Sequence, residues 1–162
     1  DFLEIQEVNG EEVALYKARQ LLSITKKPFI IEDTSFHLEA LKGFPGALFK
    51  YVFQFLGYKY IFKMMDKVLN RRAYFKGVVI YGNPQTREMR SFVGIVNGTL
   101  SNSRRGNNKR GAIANEIFIP NGFKKTLAGL DEKEWHIFLS CIEKDNHYAK
   151  FAKWFSNYSP KN

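Results

Sequence analysis

Pro28-Phe-Ile-Ile-Glu-Asp-Thr-Ser-Phe-His-Leu-Glu-Ala-Leu-Lys-Gly-Phe-Pro-Gly46 is the stretch on which the reading of this chain turns. Phe29-Ile30-Ile31 has the pattern of a short buried strand. Glu32 and Asp33 follow where that strand is expected to end, the place where open α/β sheets put their ligands. Adjacent strand residues face opposite ways, so the two acids can share a pocket only if the strand stops before them. A solvated acidic pair is the plainer reading of these two residues alone. Gly43-Phe44-Pro45-Gly46 then turns the chain into an aromatic-rich helix.

The flanking segments give an α/β pattern. Leu3 to Glu7 reads as a short strand before a turn at Asn9-Gly10, and Glu11 to Thr25 as a helix with Val13, Ala14, Ala18, Leu21 and Leu22 on one face. Leu48–Leu56 and Lys59–Leu69 read as two helices parted by Gly57, whose Phe and Tyr residues are assigned to core packing. Strands at 73–81 and 88–96 flank a hairpin turn at Gly82-Asn83-Pro84-Gln85, and Asn97-Gly98 reads as a second tight turn. Asp131 and Glu134 form a capping box for a helix running past Cys141, and Tyr148–Phe155 reads as a last amphipathic helix.

Ile31-Glu32-Asp33-Thr34-Ser35 followed by Ala40-Leu41-Lys42-Gly43-Phe44-Pro45-Gly46 resembles the signature of the inosine triphosphate pyrophosphatase family. The resemblance runs from about Glu4 to the Phe155 region. It implies an elongated mixed sheet with flanking helices around a central cleft, over one domain spanning residues 1–162. It also implies magnesium-dependent cleavage of non-standard purine nucleoside triphosphates to monophosphate and pyrophosphate, in a cytoplasmic protein able to form a homodimer. Glu4 and Asp33 match the metal-holding acids. Asp33, with Glu32 beside it, matches the catalytic position. Lys17 and Lys133 are the candidate phosphate contacts. The family's first strand and its Gly-Asn turn with a phosphate-gripping lysine have no counterpart among these residues.

The later half departs from the family pattern. Where the family has an aromatic-Gly-aromatic-Asp-Pro base pocket, this chain reads Ala112-Ile113-Ala114-Asn115-Glu116, and the Ser-His-Arg triplet falls on Ile137, Phe138 and Leu139. Each stacking aromatic removed costs roughly 1–3 kcal/mol of base binding. Pyrophosphate release from inosine triphosphate is therefore expected to be slow or absent, with little preference over adenosine or guanosine triphosphate.

Composition offers a second function. Residues 1–50 carry eight acids and six bases, the remainder eight acids and nineteen bases, giving a net charge of +9. Arg104, Arg105, Lys109 and Arg110 lie in a Gly/Asn-rich stretch without an acid. A charge pattern of this kind suits a polyanion, so a non-catalytic RNA- or ribonucleoprotein-binding protein is the alternative. The single cysteine, Cys141, excludes an internal disulfide and fits a reducing compartment. No apolar run reaches membrane-spanning length.

Overall fold

The computed structural model describes residues 3–107, 111 and 113–158. Five strands form one sheet in the order β2-β1-β3-β4-β5: β1 Phe29–Leu38, β2 Pro45–Gly46, β3 Arg72–Asn83, β4 Glu88–Leu100 and β5 Phe118–Pro120. The helices are α1 Gly10–Ile24, α2 Phe49–Phe55, α3 Gly57–Met64, α4 Glu132–Ile142 and α5 His147–Phe155. The α/β class and the elongated sheet are as expected. Every pairing among the described residues is antiparallel, so the parallel part of the expected mixed sheet is not among them.

The sheet's two faces follow from strand alternation. Val78 and Ile80 of β3 point to one side and pack against Ala14 and Ala18 of α1. Val79 and Tyr81 point to the other, toward Phe151 and Trp154 of α5. Small residues on α1 let it lie close to the sheet, and burying Val78 and Ile80 contributes about 1.5–3 kcal/mol each. The main core, around Phe36, Phe75 and Phe118, shares the α5 face and is closed by Phe53, Ile61 and Phe138 from α2, α3 and α4.

Several local expectations change. The strand through Phe29-Ile30-Ile31 does not stop at Glu32 but runs to Leu38, because ten consecutive residues of β1 pair with β3. Leu3–Glu7 belongs to no strand. Asn97-Gly98 is no turn: it lies inside β4, with Gly98 opposite Pro120 of β5. The hairpin 73–81/88–96 is present and longer, pairing Arg72 through Asn83 with Glu88 through Thr99. The capping box is formed, with the Glu134 N–H donating to Asp131 at 2.9 Å and the Asp131 N–H to Glu134 at 3.0 Å.

Candidate active site

The N-terminal segment reaches the site because it is tied at two places. The Ala47 N–H donates to the Val8 carbonyl at 2.9 Å. Gly46 has φ +59, and a Cβ there would lie 2.2 Å from the Val8 carbonyl oxygen, so only glycine lets the segment cross at this height. Upstream, Gln20 of α1 holds Leu3 by both backbone groups, at 3.1 and 2.7 Å. Glu4 lies between these ties and faces α1.

Lys17, one turn before Gln20 on α1, takes both acids. Its Nζ stands 2.8 Å from Glu4 Oε1 and 2.9 Å from Asp33 Oδ2. The Lys17 and Asp33 side chains are only 16% and 19% exposed, and Glu4 is 47% exposed. Burial works against the Lys17 charge, but the hydrogen bonds and fields of Glu4 and Asp33 outweigh it and hold the ammonium above its usual range. Asp33 sits where β1 has no outer partner, since β2 pairs only with Phe36 and His37.

These three residues open onto a cleft of about 810 Å³, whose far wall is α2. The expectation that the aromatics of this helix serve the core holds for one face only. Phe53 is buried, whereas Tyr51 and Phe55 line the cleft at 49% and 76% exposure, beside Lys50. Sequence reading missed this wall, although the four-residue spacing of Tyr51 and Phe55 signals a second apolar face.

The remaining candidates lie elsewhere. Because β1 continues, Glu32 projects from the opposite face to Asp33. There it accepts from the Thr34 hydroxyl at 2.6 Å and lies 3.6 Å from His147 Nε2 of α5. His147 is the chief cause holding the Glu32 carboxyl below its ordinary range; burial opposes it and Thr34 assists. Lys133 is exposed in the first turn of α4 and does not line the cleft.

The segment expected to have lost its base pocket is built inward. Ile113–Glu116 forms one 3-10 turn in which Ala114, Asn115 and Glu116 are buried. The buried Glu116 carboxylate accepts from the Tyr58 hydroxyl and, at 2.8 Å, from Arg104 Nε. The Arg104 guanidinium lies over the Tyr58 ring, 4.8 Å from its centre. Burial raises the Glu116 proton affinity, yet Arg104 and Tyr58 more than offset it and keep the carboxyl ionised; burial first, then the bond to Glu116 and its charge, drive the Tyr58 phenol upward, against the Arg104 charge that lowers it.

Of the four basic residues expected to face a polyanion, Arg104 has an acid partner. Arg104 is spent on Glu116. Arg105 is held by its backbone, donating to the Glu116 carbonyl at 2.8 Å and accepting from the Thr126 hydroxyl at 2.9 Å. Lys109, Arg110 and Ala112 lie outside the described residues.

No group of three or more His, Cys, Asp or Glu side chains converges as a metal cage among the described residues. Magnesium does not need one: it keeps several waters and takes one or two carboxylates plus substrate phosphates. Glu4 and Asp33, drawn to a single ammonium at the cleft, fit that requirement.

A family model described as the Ham1 family matches residues 1–138. The chain belongs to the Ham1 family. Among its relatives, the dITP/XTP pyrophosphatase of Hyperthermus butylicus is 36% identical over 158 residues, covering 98% of this chain and 80% of the relative. That of Korarchaeum cryptofilum is 40% identical over 157 residues, covering 94% and 82%. This Ham1 member also shares its fold with a solved dITP/XTP pyrophosphatase from Mycobacterium abscessus, at TM-score 0.76 and 22% identity over 88% of this chain and 78% of the other. The Staphylococcus aureus Ham1 protein superposes with TM-score 0.72 and 23% identity, over 91% and 75%.

Proposed function

We propose that residues 1–162 form one domain of a pyrophosphatase acting on non-standard purine nucleoside triphosphates, as its curated relatives are named to do. The observation that carries this reading is the meeting of Glu4, Lys17 and Asp33 at the edge of one cleft. In it, Glu4 and Asp33 would hold magnesium, which would supply charge neutralisation to phosphate oxygens. Asp33 orients a water against the α-phosphorus and accepts its proton. Lys17 stabilises the negative charge that gathers on the transferring and leaving phosphates, the main task in phosphoryl transfer. The cleft lies within the size range of small-molecule sites. A reducing cytoplasm suits the exposed, unpaired Cys141, and no helix among the described residues is long and apolar enough to cross a membrane.

Glu32 enters this reading as a brace behind Asp33 rather than as a second base, since it faces the other side. The buried turn at Ile113–Glu116 offers no stacking ring, so turnover is slow and the preference for dITP or XTP over ATP and GTP small. The RNA-binding alternative keeps the net charge of +9 in its favour but loses Arg104 as a free cation.

The test is pyrophosphate release from dITP, XTP, ATP and GTP with magnesium. Asp33→Asn is expected to lower kcat by about 100-fold or more, the usual worth of a positioned base. Equal rates for the variant and the parent would refute the assignment, as would the complete absence of hydrolysis by the parent.

A further inference from the structure

The ammonium of Lys17 stands where the two candidate metal ligands converge. From this we infer that Lys17 is an internal cation that competes with the divalent metal, so that the metal site becomes available only when a triphosphate draws Lys17 away. The inference rests on the reading of Glu4 and Asp33 as the metal ligands, and it concerns the order in which that site fills.

The geometry argues for it directly. Nζ is 2.8 Å from Glu4 and 2.9 Å from Asp33, so both acids spend an oxygen on the same point. A divalent ion held by the same pair needs those oxygens at about 2.0–2.1 Å. An ammonium and a metal ion cannot both occupy that point, because they would repel at very short range with little water between them. The Lys17 side chain, 16% exposed, is not a mobile surface group that drifts aside without cost. Leaving the acids without another anion would strand a buried positive charge, which is strongly unfavourable.

A triphosphate removes that obstacle. Lys17 also lines the cleft, so a short swing of its four-carbon stem exchanges two carboxylates for phosphate oxygens while the ammonium stays paired. The vacated carboxylates, now two uncompensated negative charges, then take the divalent ion. Metal and nucleotide each favour the same position of Lys17, and such coupling is reciprocal: nucleotide tightens metal binding by the factor by which metal tightens nucleotide binding. Couplings of this kind are typically about 5- to 150-fold. The free protein, with its acids neutralised by its own lysine, is a poor scavenger of divalent ions.

The experiment is Mn²⁺ binding to the purified chain, followed by electron paramagnetic resonance, with and without α,β-methylene inosine triphosphate. The parent is expected to bind Mn²⁺ weakly alone and at least about 5-fold more tightly with the analogue. Lys17→Met is expected to bind Mn²⁺ at least about 5-fold more tightly than the parent without nucleotide and to gain less than the parent does from adding it, since the phosphates supply metal ligands to both. Lys17→Arg, which keeps a cation in place, restores weak binding. If Lys17→Met binds Mn²⁺ no better than the parent, the competition is overturned. Should that variant fail to fold, nitrogen-detected NMR of the parent's lysine ammonium groups decides. With magnesium as the metal, a protected Lys17 signal that stays in place with metal alone and shifts only when nucleotide is added supports the inference; displacement or loss of the signal with metal alone overturns it. None of these readouts requires turnover. A chain that shows the coupling but releases no pyrophosphate refutes the proposed activity alone, and one that hydrolyses without the coupling refutes this inference alone.

Discussion

Glu116 carries a negative charge into the core and survives there because Tyr58 and Arg104 meet it. Tyr58→Phe removes one donor and leaves the carboxylate under-satisfied, which is expected to lower stability by about 1–3 kcal/mol. Urea denaturation with an unchanged m-value measures this, and an unchanged midpoint would show the phenol to be dispensable. His37 gives a second expectation. It is buried, hydrogen-bonded to the Ser35 hydroxyl and the Gly43 carbonyl, and stacked on Tyr74. Burial chiefly, then the nearby Lys76 charge, lowers its proton affinity below the ordinary 6.5, against the Gly43 bond that raises it. The unfolded chain therefore takes up the proton first as pH falls through 6.5, and the folded state loses stability down to the lower folded value. The loss is at most about 1.4 kcal/mol per pH unit. It should be absent in His37→Gln when the two are compared by urea melts between pH 7.5 and 5.5. At this scale the sequence was a partial guide. Asp33, Lys17 and Glu4 were readable from motif resemblance, whereas Glu116 looked only like a missing proline because its partner Tyr58 stands 58 residues away.

The strands decide what the acids of the motif can do. An apolar triplet followed by two carboxylates gives no sign that pairing continues, since the partner residues in β3 supply the reason and lie far along the chain. Had β1 ended at Ile31, Glu32 and Asp33 could have shared one pocket; its continuation sends one to the cleft and the other to α5. That helix seats on a flat spot made by Gly77 and Gly94, which are directly opposite in the β3–β4 ladder. A Cβ on Gly94 would lie 2.5 Å from the His147 backbone nitrogen, and backbone cannot swing aside. Gly94→Ala is thus expected to lift the start of α5 and cost about 1–3 kcal/mol, the range for overpacking. The fluorescence of Trp154, which packs on Tyr81 and Phe92, should shift to the red. Unshifted emission with unchanged stability would mean that α5 does not depend on this seat. Asn97-Gly98 misled for a related reason: a turn-forming pair and a place where strands crowd both call for glycine, and only tertiary structure tells them apart.

Over the whole molecule, acids and bases are divided along the chain, and the acid-rich first third supplies all three residues of the candidate site. The fold was legible because hairpin patterning and motif agreed. The basic loop was not, because composition counts charges without showing which of them are already paired. The β3–β4 hairpin has a further consequence, for the order in which the chain folds. Twelve cross-strand pairs are closed by a turn of only residues 84–87, so the longest ladder in the sheet carries the smallest loop-closure entropy. β5, in contrast, follows β4 only after an intervening stretch from 101 to 117, and β1 reaches β3 across two helices. The hairpin should therefore be formed in the folding transition state, with the edges added afterward. Val79→Ala is expected to slow refolding with a φ-value above about 0.5, whereas Phe118→Leu should act mainly by speeding unfolding. A chevron in which the two variants behaved alike would show that the sheet condenses as a unit; otherwise the segment that bears no candidate catalytic residue is the one that assembles first, and the acids of the cleft are brought together last.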